Sequence, residues 1–538
     1  SDDAAYDIYD GYFNQVFFDY YNPVQILEQN INDGTDKRLN IAVKGAYEIT
    51  DGLILDAIYS IRSESFLRGR YYDKNSLWDR WSLRGLAERS QSNSYSQFFE
   101  TTARWNSDIT SSVNLSALGG YSYQEFTNEG FSARGGDFIT DAFTYNNLSA
   151  ALDFPNGLGY VDSYKNSNKL IAFFGRVKLN INSTWFLTAS ARYEGSSRFG
   201  TNNKWGLFPA IGGGVELTEF INAGSVDKFK FRVNYGVTGN QPGSSYMSLL
   251  RFGTRGNSFY NGEFIPGYAP VSNANKDLGC EKKSEIDIGF DFSFSGSKLF
   301  GSFDFYTSTS TDLLFQYYVP VPPNLFDFAW MNIGEIKNSG MELNLTWRAI
   351  EKRNFFYSLS ITPTCYLKNE LVSLSGTYNG AELTYGVRDL GYLDLFHQAQ
   401  IQPVRLEEGQ PIGQLYTRVL KEIDETGNLI FDDISGPAGV PDGFIDYYDK
   451  QLVGNGLPDF ELGFANVFSY KRWDLNIFFR GVFGHDLINC YRASYEVPNL
   501  IAYYNLPKTA TDRRNPETGT LLNNSSGMLS DYHVENAS

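Results

Sequence analysis

The sequence predicts an all-β protein, a transmembrane antiparallel β-barrel with about fourteen strands in this chain. Three observations carry the expectation. Apolar and polar residues alternate with a period of two along many arms, as successive side chains do on a strand. The mean hydropathy is -0.33, and no run of about eighteen apolar residues exists to form a membrane helix. Short turns and long connections alternate along the chain, the rhythm of a barrel whose periplasmic ends are tight and whose outer ends are long. A soluble sandwich or propeller mixes turn lengths at both ends and uses shorter strands.

The clearest stretch is Thr184 to Phe220. Trp185, Leu187, Ala189, Ala191 and Tyr193 share one face, with Phe186, Thr188, Ser190, Arg192 and Glu194 on the other. The returning arm sets Trp205, Leu207, Pro209, Ile211, Gly213, Val215 and Leu217 against Lys204, Gly206, Ala210, Gly214, Glu216 and Thr218. Each arm has the roughly nine to thirteen residues that a tilted strand needs to cross a bilayer.

The other elements follow in order. Leu39, Ile41, Val43 and Tyr47 oppose Asn40, Lys44 and Glu48, and a turn at Asp51-Gly52 leads to Leu53, Leu55, Ala57, Tyr59 and Ile61. Phe99, Thr101, Ala103 and Trp105 pair through a turn at Asn106-Ser107-Asp108 with Val113, Leu115, Ala117, Tyr121 and Tyr123. Ile171 to Ile181 joins the Trp185 arm through Asn182-Ser183-Thr184. The Trp205 arm pairs with Phe229, Phe231, Val233, Tyr235 and Val237. Ile286 to Phe294 turns at Ser295-Gly296-Ser297 into Phe303 and Phe305. Met341 to Trp347 turns at Glu351-Lys352-Arg353 into Tyr357 to Ile361, and Leu462 to Tyr470 turns at Lys471-Arg472 into Trp473 to Gly481.

The alternation assigns sides. Turns at Asp51, Ser107, Ser183, Gly296, Lys352 and Lys471 are expected in the periplasm, and connections over 62–95, 124–169, 194–204, 239–284, 309–339 and 368–459 outside. The whole of 1–538 reads as barrel with these loops. Aromatics at strand ends (Trp105, Trp185, Tyr193, Trp205, Tyr235, Trp347, Tyr470 and Trp473) read as girdles at the two interfaces, or as cross-strand pairs of an ordinary sheet.

Composition narrows the function. Aromatics make up 16% of the 538 residues, and a formal net charge of -17 argues against nucleic acid as partner. The 3 cysteines (Cys280, Cys365 and Cys490) lie far apart and form neither a CxxC motif nor a complete disulfide framework. His397, His485 and His533 are scattered, with no GxSxG or HExxH motif, so no catalytic residues are assigned and an enzyme is not expected. One acidic stretch stands out. Asp442, Asp446 and Asp449 occur in DGFIDYYD, which resembles the end of a calcium loop. The preceding residues 435–439 lack the carboxylates of a full loop, and the alternative is a solvated loop with Asx turns. Structural calcium is the one cofactor these residues suggest.

Six stretches, spread over most of the chain, resemble the SusC/RagA-like branch of TonB-dependent outer-membrane transporters. They are RYEGSSRFGTNNKWGLFPA (192–210), FRVNYGVTGNQ (231–241), NIGEIKNSGMELNL (332–345), EEGQPIGQLY (407–416), DGFIDYYDKQLVGNGLPDFELGF (442–464) and WDLNIFFRGVFGHDLIN (473–489). The resemblance implies the outer membrane of a Gram-negative bacterium and active import of oligosaccharides or peptides. It also implies a SusD-like surface lipoprotein as lid and the TonB–ExbB–ExbD complex as energy source. A passive porin or a surface-exposed binding or adhesion barrel is the alternative. An N-terminal plug and TonB box are not recognisable, and such barrels close with about 22 strands. The chain is therefore expected to be the middle and later part of a barrel. Cargo contacts are expected from aromatics of the outer loops, on which sugars stack: Tyr71, Tyr72, Trp78, Trp81, Tyr260, Phe326, Phe328 and Trp330. Packing between loops, or contact with the lid, is the other use for them.

Overall fold

A computed structural model describes residues 12, 22–76, 84–221, 224–395, 398–425, 428–497, 505–512, 517–519 and 528–538. Fourteen long strands form one antiparallel sheet in chain order, numbered here β1 to β14, with one short loop strand attached to β12. They are β1 Asn30–Thr50, β2 Leu53–Tyr72, β3 Leu86–Thr110, β4 Val113–Gly136, β5 Tyr160–Ile181, β6 Trp185–Ser196 and β7 Trp205–Glu216. The second half comprises β8 Val226–Asn240, β9 Glu281–Phe294, β10 Leu299–Thr311, β11 Glu335–Lys352, β12 Phe355–Ser373, β13 Phe460–Tyr470 and β14 Trp473–Phe483. Each strand pairs with its sequence neighbour among the fourteen, the up-and-down order of a membrane barrel.

The register is long and regular. β1 and β2 pair from Asn30↔Tyr72 down to Thr50↔Leu53. Their turn needs glycine: Gly52 has φ 77°, and a Cβ there would come within 2.2 Å of the Asn106 carbonyl oxygen. Asn106 in turn donates its N–H to the Gly52 oxygen at 2.9 Å.

That contact exposes a difference from the sequence reading. Asn106, Ser107 and Asp108 are strand, not turn; β3 runs on to Thr110 and the reversal is at Ser111-Ser112. Asp108 sits opposite Asn114 and accepts a hydrogen bond from its amide at 2.9 Å. Below the girdle both faces of the hairpin meet water, so a polar run carries no alternation although the ladder continues.

The outer ends differ for the same reason. Strand occupies 62–72 and 86–95 of the first expected loop and 124–136 and 160–169 of the second, and among the described residues 73–76, 84–85 and 137–159 lie between them. β3 reaches 25 residues. Tyr71, Ala87, Phe138 and Ala151 form a small core beneath this extension. The longer loops carry sheets of their own. Arg251–Tyr260 pairs with Glu263–Ser272, and Leu314–Tyr318 with Phe328–Asn332. A four-stranded sheet in the last long loop uses Val387–Leu390, Val404–Glu407, Gln414–Thr417 and Gln451–Asn455.

Candidate functional site

The wall is two-faced. In β6, Trp185 (50%), Leu187 (51%) and Tyr193 (46%) are exposed, as are Ala189 and Ala191. Phe186, Thr188, Ser190 and Arg192 are half-buried on the other face. A curved sheet explains the contrast, because side chains crowd on its concave side and fan out on its convex side. The apolar convex face carries Leu39, Ile41 and Val43 of β1, Ile286 of β9, and Leu475, Ile477 and Phe479 of β14. One polar group on this face is internally satisfied: Tyr357 donates its hydroxyl to the Asn466 oxygen at 2.9 Å. In hydrocarbon an unpaired amide would cost several kcal/mol, of order 4.

Aromatic rings rim the convex face at two levels. At the outer level Phe99, Tyr121, Phe173 and Trp205 follow one another at 6.5, 5.3 and 6.5 Å between centroids, and Tyr193 stacks on Trp205 at 4.8 Å. At the turn end Trp185 meets Phe220 at 6.3 Å, and Phe355 meets Tyr470 at 6.4 Å. Trp185 and Tyr193 lie eight residues apart, about 26 Å along a strand. At a barrel-strand tilt of about 40° that separation spans about 20 Å along the membrane normal, most of an apolar band roughly 25 Å tall.

The concave face is charged. Arg232 of β8 reaches across two strands, with its guanidinium 3.0 Å from Asp291 and 2.7 Å from Asp304. Asp56 of β2 holds Arg104 of β3 at 2.7 Å. Such pairs let charges face an interior instead of lipid.

The outer loops gather only some of the residues expected to touch cargo. Tyr71 is 2% exposed, packs edge-on against Phe138 and donates its hydroxyl to Asp141 at 2.7 Å. Burial, and then Asp141, push its phenol well above the usual range. It holds a loop and presents no ring face. Tyr72 ends β2, half-buried, and Trp78 and Trp81 lie outside the described residues. Tyr260 is 71% exposed at the tip of its hairpin. Phe326 and Phe328 pack edge to face at 4.6 Å, and Arg255, from the Tyr260 hairpin, lies over Phe326 at 4.9 Å. Tyr260, Phe326, Phe328 and Trp330 therefore belong to loops that meet.

Three asparagines that sequence reading missed make that junction. Asn273 donates its amide to the Phe326 and Phe328 oxygens at 2.8 and 2.9 Å and accepts from the Leu325 and Phe326 N–H groups. Asn275 donates to the Trp330 oxygen at 2.8 Å. Asn332 accepts from the Gly279 N–H at 2.6 Å and donates to Asp312 at 2.9 Å. The only sequence signal was the spacing of Asn273 and Asn275, which puts both on one side of an extended segment.

The acidic stretch is organised by backbone. Asp449 is fully buried and accepts from the N–H groups of Ile434, Ser435 and Asp446 at 2.9, 3.3 and 2.8 Å. Burial alone would raise its carboxyl, but these donors and Arg418 outweigh it and hold the group below the usual carboxylate range. Asp442 and Asp446 accept from the N–H groups of Phe444 and Tyr448 two residues on, which are Asx turns. Among the described residues no group of three or more His, Cys, Asp or Glu is arranged to hold a metal ion.

The neighbouring motifs build a buried scaffold. Arg405 pairs with Asp389 at 2.9 Å, lies 3.2 Å over the ring of Tyr416 and donates to the Tyr447 hydroxyl at 2.9 Å. Tyr447 donates to Asp389 at 2.9 Å. Of the histidines, His397 lies outside the described residues, and His485 is packed with its Nδ1 buried. His533 is 3% exposed against Tyr532.

An up-and-down antiparallel sheet with an apolar outer face, two aromatic girdles and a charged inner face defines a transmembrane barrel wall. The family described as TonB dependent receptor-like, beta-barrel, matches residues 1–513, and the chain belongs to that family. TonB-dependent receptor P3 of Formosa agariphila is 29% identical over 502 residues, covering 88% of this chain and 47% of the relative. TonB-dependent receptor SusC of Bacteroides thetaiotaomicron is 26% identical over 387 residues, 70% of this chain and 37% of the relative. The solved RagAB peptide transporter superposes with a TM-score of 0.81 at 20% identity, over 98% of this chain and 57% of that one. The chain spans about half the length of the curated relatives it matches.

Proposed function

We propose that this chain is the wall of an energised importer in the outer membrane of a Gram-negative bacterium, taking up an oligosaccharide or peptide. The carrying observation is the pairing of an apolar, girdled outer face with a charged inner face along the whole sheet. That pairing suits a lumen through which polar cargo moves. The likeness to receptors named TonB-dependent supports energisation by a TonB–ExbB–ExbD system. The likeness to a transporter titled RagAB supports a second, surface-seated component of SusD type. β1 and β14 are the free edges of the described sheet, and lipid does not tolerate unpaired strand edges. Closure in the membrane is supplied by further strands on these edges.

The test is uptake. Deleting the gene abolishes growth on the cargo, and inactivating TonB has the same effect while the receptor stays in the membrane. A passive porin would keep working without TonB, and an adhesin would lose surface binding with no loss of uptake.

A further inference from the structure

The short turns of the wall differ sharply in charge. Those joining β1 to β2, β3 to β4 and β5 to β6, residues 50–53, 110–113 and 181–185, hold no lysine or arginine. Those joining β9 to β10, β11 to β12 and β13 to β14 hold Lys298, Lys352, Arg353, Lys471 and Arg472. The register gathers the last four. Lys352 is the partner of Phe355, Phe355 of Tyr470 and Tyr470 of Trp473. The Lys471 N–H donates to the Asn354 oxygen at 3.0 Å, which joins the two turns directly. Lys298 stands at the turn before them, where its carbonyl accepts from the Arg348 N–H at 2.7 Å.

The wall itself does not answer these cations. All five are exposed, and none has a carboxylate partner among the described residues. The two acids nearby are engaged elsewhere: Glu351 pairs with Arg348 at 3.8 Å, and Asp474 accepts from the Ser469 hydroxyl. What adjoins the cations is aromatic. Trp473 is 80% exposed at the start of β14, and Tyr470 and Trp347 are exposed on the same convex face. The Lys471 ammonium lies 5.2 Å from the centre of the Tyr470 ring. The basic patch therefore continues the turn-end girdle, on the face that meets lipid.

We infer that these turns bind the phosphate headgroups of anionic glycerophospholipids in the leaflet at the turn end. Lysine and arginine stems lie along apolar surface while their charged heads reach the headgroup level, where interfacial rings also sit. A phosphate supplies the acceptors and the charge that the five cations lack, and arginine engages two of its oxygens at once. The chain as a whole carries a formal charge of -17. General electrostatic attraction therefore cannot supply a preference for anionic lipid, whereas a local cluster can. A zwitterionic headgroup brings no net charge to the cluster. An acidic protein fits less well, since the rings beside the cations face lipid. The inference concerns the wall in its bilayer and stands apart from import.

The full-length protein is reconstituted in phosphatidylcholine bilayers holding a trace of spin-labelled phosphatidylglycerol or, in parallel, spin-labelled phosphatidylcholine. Electron paramagnetic resonance separates lipid immobilised at the wall from the fluid bulk. The expected result is a several-fold stronger association of the anionic label. That preference should fall towards parity in the combined variant Lys352→Gln, Arg353→Gln, Lys471→Gln and Arg472→Gln. In the wild type it should also fall in about 1 M salt, where the screening length is about 3 Å. Heat-modifiable gel mobility verifies that the variant is folded, and the salt series needs no variant. The inference is overturned if both labels associate equally with the wild type, as they would if the turns served an acidic protein. It is equally overturned if the folded variant keeps the full preference. No step of the assay involves TonB or uptake, so failure of the import reading would not be mistaken for failure of this one.

Discussion

Tyr193 and Trp205 stack with their rings 4.8 Å apart and 15° from parallel, at the outer ends of β6 and β7. Gly195 makes this stack possible: a Cβ there would come within 2.7 Å of the indole. The pair continues a row of rings from Phe99 through Tyr121 and Phe173, and so fixes the level at which the wall leaves the lipid. Each such pair contributes about 0.5–1.5 kcal/mol beyond area burial. Gly195→Leu and Trp205→Ala are both expected to lower the temperature at which the barrel loses its heat-modifiable mobility.

The two faces of one strand should respond oppositely to charge. Ala189→Arg and Leu343→Arg place a cation on the lipid side, at a cost of about 2–4 kcal/mol near the midplane. Ser190→Arg and Asn344→Arg place it in the lumen and should assemble normally. Membrane-integrated yield after outer-membrane fractionation reads the difference, and equal yields from the two sets would contradict the face assignment.

The scaffold of the last loop should fail locally. Arg405 and Asp389 have side chains only 10% and 9% exposed. Arg405→Ala strands Asp389 beside Tyr447, and removing one partner of a buried pair costs roughly 3–5 kcal/mol. Limited proteolysis should cut within 387–455 while the barrel remains resistant. Arg405→Lys should rescue poorly, because an ammonium cannot lie flat on Tyr416 while pairing Asp389.

Asp449 supplies a pH dependence. Its folded-state carboxyl is held below the ordinary value of 3.8. The stability it contributes is therefore present above that value and lost as pH falls through the folded value. Protection factors at Ile434, Ser435 and Asp446, the exchange rates divided into the intrinsic rate at each pH, should be high at neutral pH and fall in acid below about pH 4. Asp449→Asn should lower them at neutral pH and flatten the profile.

Alternation was legible wherever lipid or a curved interior distinguished the two faces. That is why Trp185 to Tyr193, Phe229 to Val237 and Ile286 to Phe294 could be assigned to faces residue by residue. It vanished where strands leave the membrane. Residues 62–72 and 124–136 pair as regularly as those below them, yet water wets both faces and polar residues fill both. The same loss turned Asn106 to Asp108 into an expected turn. The outer loops were harder still. Tyr71 and Tyr260 are the same residue type in polar surroundings, and only tertiary packing makes one a buried anchor and the other a free ring. Asn273 clamps a loop through main-chain groups some fifty residues away, 53 for Phe326, which no local spacing reveals.

The face assignment of β6 carries the whole account, and spin labelling tests it most directly. Single cysteines are placed from 186 to 193 in the full-length protein, after Cys280, Cys365 and Cys490 are replaced by serine. Each is labelled with a nitroxide in lipid bilayers and relaxed by oxygen, which partitions into lipid, or by a water-soluble nickel chelate. A lipid-facing odd-numbered face predicts a period of two: oxygen dominates at 187, 189, 191 and 193, and nickel is relatively favoured at 186, 188, 190 and 192. Accessibility that fails to alternate, or alternates in the opposite phase, would contradict it.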